Sequence, residues 1–99
     1  VSNMKEIRII MQQIKEDLED LVANFDNVEV FQDTAYYILD DISDLREILE
    51  KKMPELIEDI NKFENIINNM TFEENIKKLK SLAENGLQIV KEIEKHFMD

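Results

Sequence analysis

Apolar residues recur along this chain at alternating steps of three and four. In the first stretch they fall at Met4, Ile7, Met11, Ile14, Leu18, Leu21 and Phe25, without a miss. That spacing keeps one stripe of an α-helix apolar, as in a coiled-coil seam, and predicts a helix packed against other helices. Ile10 and Val22 widen the stripe. About 22 residues at 1.5 Å each make this helix about 33 Å long.

Asp26-Asn27-Val28-Glu29 breaks the pattern. Asp and Asn favour turns and helix N-caps, and Asp26 with Glu29 has capping-box spacing, so a tight turn is predicted here. The second seam runs Val28, Phe31, Ala35, Ile38, Ile42, Leu45 and Leu49, flanked by Tyr37, Leu39 and Ile48. Lys51 and Lys52 suit the carbonyl end of that helix. Pro54 with Glu55, Glu58 and Asp59 then suits the first turn of a new one. The third seam is Met53, Leu56, Ile60, Phe63, Ile67 and Met70, with Ile57 and Ile66 beside it.

Thr71-Phe72-Glu73-Glu74 reads as a capping box, in which Thr71 accepts from the Glu74 N–H and Glu74 reaches back to the Thr71 N–H. The fourth seam follows at Phe72, Ile76, Leu79, Ala83, Gly86, Val90, Ile93 and Phe97, widened by Leu82, Leu87 and Ile89. A glycine inside a helix costs about 1 kcal/mol relative to alanine. On the seam, Gly86 marks either a close helix approach or a kink.

The expected fold class is therefore all-α: a small up-down bundle of four amphipathic helices, one domain over residues 1–99. Pro54 leaves an alternative. If it only kinks the chain, the second and third helices form one rod of about 60 Å. Shorter neighbours could cover only half of such a rod, and a three-helix chain of this kind would dimerise. Val1-Ser2-Asn3 ahead of Met4 read as a tag remnant, or as the edge of an excised piece of a longer chain.

Composition narrows the function classes. The 99 residues are 43% hydrophobic and 35% charged, a globular balance. With no cysteine there is no disulfide framework, thiolate metal site or cysteine nucleophile, which fits a cytoplasmic, reducing compartment. The longest apolar run, Ala35–Leu39, is far short of the ~20 residues of a membrane span. A net charge of −11 argues against nucleic acid and anionic membrane as partners.

The acidity is uneven. Glu16, Asp17, Glu19, Asp20, Asp26, Glu29, Asp33, Asp40, Asp41 and Asp44 lie in a stretch with no Lys or Arg, while the other acids nearly cancel the 12 bases. A turn at Asp26–Glu29 would gather this charge around one end of the bundle. Three readings follow. The first is a docking face for a basic partner, built from Glu16, Asp17, Asp20, Asp33, Asp40, Asp41 and Asp44, with Tyr36 as a contact aromatic. The second is a cation site at Asp40, Asp41 and Asp44. The third is a solvated face that favours solubility. The alternating-acid calcium loop with its central glycine is absent.

Lys77, Lys78 and Lys80 form the one basic cluster, read as pairing with nearby acids or facing water. His96, the single histidine, shares a helical face with Glu92, but a di-iron bundle needs two Glu-x-x-His motifs and further inward glutamates. No catalytic triad, nucleophile elbow or glycine-rich phosphate loop can be assembled, and no metal or cofactor is expected. The expected function is a non-enzymatic protein-interaction or oligomerisation module. Its partner would be a basic protein surface or a second copy. A ligand- or cation-sensing bundle is the alternative, and its signature of polar groups within the seams is missing.

Overall fold

The computed structural model describes residues 2–97, with Val1 of the N-terminal triplet outside that range. Four helices form, α1 (Ser2–Asn24), α2 (Val28–Lys52), α3 (Ile57–Met70) and α4 (Ile76–Glu94), with single 3-10 turns at Pro54–Leu56 and Lys95–Phe97. α1 packs on α2 and α4, and α3 packs on α2 and α4, while α2 and α4 touch only across the diagonal. This is a closed up-down-up-down bundle of 40 × 20 × 18 Å.

Pro54 reverses the chain. The Met53 backbone leaves the helical region at φ −144°, ψ 67°, and its N–H closes α2 by donating to the Leu49 carbonyl at 2.8 Å. Pro54 has no N–H with which to extend α2 and disfavours helical backbone in the residue before it. Its fixed φ suits the first turn of the next helix. A rod of about 60 Å would exceed the longest dimension of the molecule, so the kinked, dimerising three-helix alternative is overturned.

Every buried apolar side chain lies on one of the four seams, from Ile7 on α1 to Phe97 after α4. No polar or charged side chain is buried among the described residues. The interior is hydrocarbon, stabilised by roughly 25 cal/mol for each Å² removed from water. The seams fail only at their ends. Met4, Val28, Met53 and Ile76 are partly buried, while Phe25 is 37% and Phe72 69% exposed.

Phe72 is exposed because α4 starts later than the spacing suggests. Thr71 does not open α4; its hydroxyl donates to the Asn68 carbonyl at 2.6 Å and closes α3. The α4 cap is Asn75, whose side-chain oxygen accepts from the Lys78 N–H at 3.0 Å. The Glu73 carboxylate accepts from the N–H groups of Glu74 and Asn75. Likewise Asn27, not Asp26, caps α2, accepting from the Val30 N–H at 3.2 Å. A cap must immediately precede the first helical residue, and that residue is Val28. Asn75→Ala is expected to cost about 1 kcal/mol in urea denaturation, and Thr71→Ala clearly less. Equal losses would reinstate the capping box.

Gly86 marks a close approach, since α4 runs unbroken through it. A Cβ at Gly86 would lie 3.2 Å from Phe63 Cε1 of α3. Tyr37 also departs from expectation: it is 71% exposed rather than a covered flank. It faces the α1 side of α2, and α1–α2 is the least extensively packed of the four neighbouring pairs.

Candidate interaction surface

The seams of α1 and α2 determine what remains on their shared flank. With Ile14 and Leu18 inward, Gln13 and Asp17 fall on the α2 side of α1. With Ile38 and Ile42 inward, Thr34, Tyr37 and Asp41 fall on the α1 side of α2. Gln13, Asp17, Thr34, Tyr37, Asp40 and Asp41 line one shallow groove. Glu6, Asp44, Glu47, Ile48 and Lys51 line a second, towards the other end of the hairpin.

Acids from the two helices meet in the first groove. Partial burial pushes the Asp17 carboxyl above the usual range, and the charges of Asp20 and Glu16 raise it further. Burial likewise raises Asp41, with added repulsion from Asp17, Asp44 and Asp40. Of the ten acids between Glu16 and Asp44, only Asp26 forms an ion pair among the described residues, with Lys80 of α4. Glu16 and Asp20 accept hydrogen bonds from the neutral Gln12 and Asn24 amides, at 3.0 and 2.6 Å. Lys15 and Arg46, the bases nearest in sequence, bind Glu94 and Glu64 instead.

The structure thus brings Asp17 of α1 together with Asp40 and Asp41 of α2, while Glu16 lines a groove with Glu94 and Phe97 and Asp44 lines the second α1–α2 groove with Glu6 and Glu47. Asp33 is exposed on α2 apart from that cluster, and Tyr36 is 58% exposed. The acids are not confined to one end of the bundle, because Asp41 and Asp44 sit beyond the middle of α2. Asp40, Asp41 and Asp44 do not converge on a point: among the described residues no three acidic, His or Cys side chains are arranged to hold a metal ion. Glu92 accepts from Lys95 at 3.3 Å, and His96 is exposed.

Tyr37 and Thr34 belong to this surface and were not among the expected contact residues. The signal for Tyr37 was its aromatic ring off the strict heptad. Reading that signal required knowing that the α1–α2 contact is loose. Lys77 and Lys78 are exposed, while Lys80 pairs with Asp26 across the bundle.

The raised carboxyls have a stability consequence with a definite sign. Asp17 and Asp41 bind protons more tightly in the folded chain than in the unfolded one. Their favourable contribution is complete below the unfolded carboxylate pKa and is lost as pH rises through the folded values. Their ionised forms are held in the folded chain against partial burial and neighbouring negative charge, including that of Asp17 on Asp41 between α1 and α2. Asp17→Asn combined with Asp41→Asn is therefore expected to raise stability at pH 7 by on the order of 0.5 kcal/mol. The gain should shrink towards pH 4 and in high salt. A gain that persists undiminished at pH 4 would show that charge is not its cause.

Among the described residues no helix is long and apolar enough to cross a membrane. No family model, curated protein or solved structure matches this chain.

Proposed function

We propose that this chain is a non-enzymatic interaction module that docks a basic protein surface on its α1–α2 face. One observation carries the reading: among the described residues all of the acids from Glu16 to Asp44 except Asp26 lack an ion-pair partner, and Asp17, Asp40 and Asp41 share a groove with the exposed Tyr37. Charge held against its own repulsion is relieved when a partner brings cations, and such complementarity also speeds and orients encounter. Tyrosine supplies a rigid contact area that is apolar on its faces and polar at its tip, and it is enriched at interfaces. The hydrocarbon interior supports a role carried on the surface. The absence of cysteine supports a cytoplasmic setting.

The test uses a helical lysine–leucine peptide of about 20 residues as the basic probe. Asp40→Asn, Asp41→Asn and Asp44→Asn together are expected to weaken its binding at least tenfold. A control with Glu55→Gln, Glu58→Gln and Glu84→Gln has the same net charge and alters exposed acids elsewhere. It should bind nearly as well as the parent chain. Equal losses in the two variants would mean that the probe senses only net charge, and the docking face would be abandoned.

A further inference from the structure

We propose that Asn85 is a site of self-modification: the Gly86 backbone nitrogen attacks its side chain when α4 opens away from α3, and the isoaspartate that results bars α4 from repacking. Gly86 is the one glycine of the chain, so Asn85 is the one asparagine followed by glycine. Asn85 is exposed, Gly86 is buried, and both lie well inside α4.

The chemistry is internal and needs only water. The Gly86 nitrogen bonds to the side-chain carbonyl carbon of Asn85 and gives up its proton. The side-chain nitrogen of Asn85 leaves as ammonia, and a five-membered succinimide ring remains. Water then adds to one of the two ring carbonyls. Cleavage of the bond from the Gly86 nitrogen to the side-chain carbon returns an ordinary backbone with aspartate at this position. Cleavage of the bond to the backbone carbonyl carbon leaves the main chain running through the side chain, which is isoaspartate. One water is consumed and one ammonia released, with no oxidant or reductant. Glycine favours the ring because no side chain crowds its nitrogen and its backbone is free to follow.

The folded helix holds the reaction back. Inside α4 the Gly86 N–H is committed to the carbonyl four residues earlier, that of Leu82. The ring also needs a rotation about the Asn85 Cα–C bond well away from the helical ψ of about −42°. Packing opposes that rotation. A Cβ at Gly86 would already stand 3.2 Å from Phe63 Cε1 and 3.6 Å from Ile67 Cδ1 of α3. Ring closure is thus confined to molecules in which α4 has opened, and its rate follows their fraction.

The same contact makes the change one-way. Isoaspartate adds a methylene to the main chain, about 1.5 Å of extra bond. Even a Cβ at Gly86 would require Phe63 to yield by a few tenths of an ångström. The added atom also breaks the hydrogen-bond register of α4 where its bare backbone meets Phe63.

Timed incubation in mildly alkaline buffer, read by mass spectrometry of the peptide that holds residues 85 and 86, tests the coupling. The parent chain in urea beyond its unfolding midpoint should convert at least tenfold faster than the folded parent. Phe63→Ala without urea should also convert at least tenfold faster than the folded parent. Gly86→Ala should slow conversion of the urea-unfolded chain at least tenfold. A folded parent that converts as fast as the unfolded chain, or a Phe63→Ala variant no faster than the parent, overturns the protection by α4. The isoaspartyl form, isolated by chromatography, is then compared with Asn85→Asp, which has the same charge and an ordinary backbone. Asn85→Asp should melt close to the parent and the isoaspartyl form well below it. Equal melting of the two overturns the one-way step.

Discussion

Phe63→Ala is expected to destabilise the chain by about 3–5 kcal/mol, the largest loss from any single truncation considered. Phe63 is 1% exposed and, with Phe31, is among the largest fully buried side chains. It sits on α3 against the bare backbone of Gly86 on α4. Truncation removes apolar burial and leaves a cavity that rigid helices fill only in part. For a domain near 100 residues each kcal/mol lowers the melting midpoint by about 4–8 °C. Total stabilities are commonly 5–15 kcal/mol, so the variant should be close to unfolding at ambient temperature. Urea denaturation followed by circular dichroism measures the loss. A cost below about 1 kcal/mol would show that the α3–α4 contact is not packed as described.

Gly86→Leu is the second large effect, a loss of about 1–3 kcal/mol from overpacking. Even the first carbon of the new side chain would lie 3.2 Å from Phe63 Cε1, 3.6 Å from Ile67 Cδ1 and 3.7 Å from Ile66 Cγ2. The remaining carbons would have to displace these neighbours further. Gly86→Ala behaves differently. It gains about 1 kcal/mol of helix propensity, which is offset by forcing the enclosed Phe63 ring to move a few tenths of an ångström, so its net effect should be small. Phe63→Ala and Gly86→Leu combined should cost less than the sum of the two, because leucine enters the space that the ring vacates. Strict additivity in that double-mutant cycle would separate the two sites and refute the close approach.

Much of the fold was legible because burial in a bundle follows a local rule. A helix turns 100° per residue, so any helix in a bundle must carry its apolar residues at steps of three and four. The core from Ile7 to Phe97 obeys that rule without exception. The ends were less legible. Phe25 and Phe72 fit the spacing, but they lie where helices stop and no neighbouring turn covers them. Asp26 and Thr71 have the chemistry of caps, but they stand one and four residues ahead of the positions that do the capping. Capping is a matter of register, and register depends on where packing lets each helix begin.

The acidic surface divides in the same way. Its charge, and its confinement to Glu16–Asp44, can be counted along the chain. The meeting of Asp17 with Asp41, and the addition of Tyr37 and Thr34, required knowing which helix lies against which flank. The cation-site reading at Asp40, Asp41 and Asp44 fails on geometry: among the described residues no three acidic, His or Cys side chains are arranged to hold a metal ion.

By itself, then, the sequence determines the helical class, the four seams, the membership of the core and the sign and location of the charge. Each of these follows from periodicity or composition within a single segment. Only the tertiary structure decides that Pro54 turns the chain back, that Asn27 and Asn75 are the caps, that Gly86 admits Phe63, and that a loose α1–α2 contact leaves Tyr37 and the facing acids open. Those features depend on distances between segments far apart in the chain, and such distances are set by how four helices share one core.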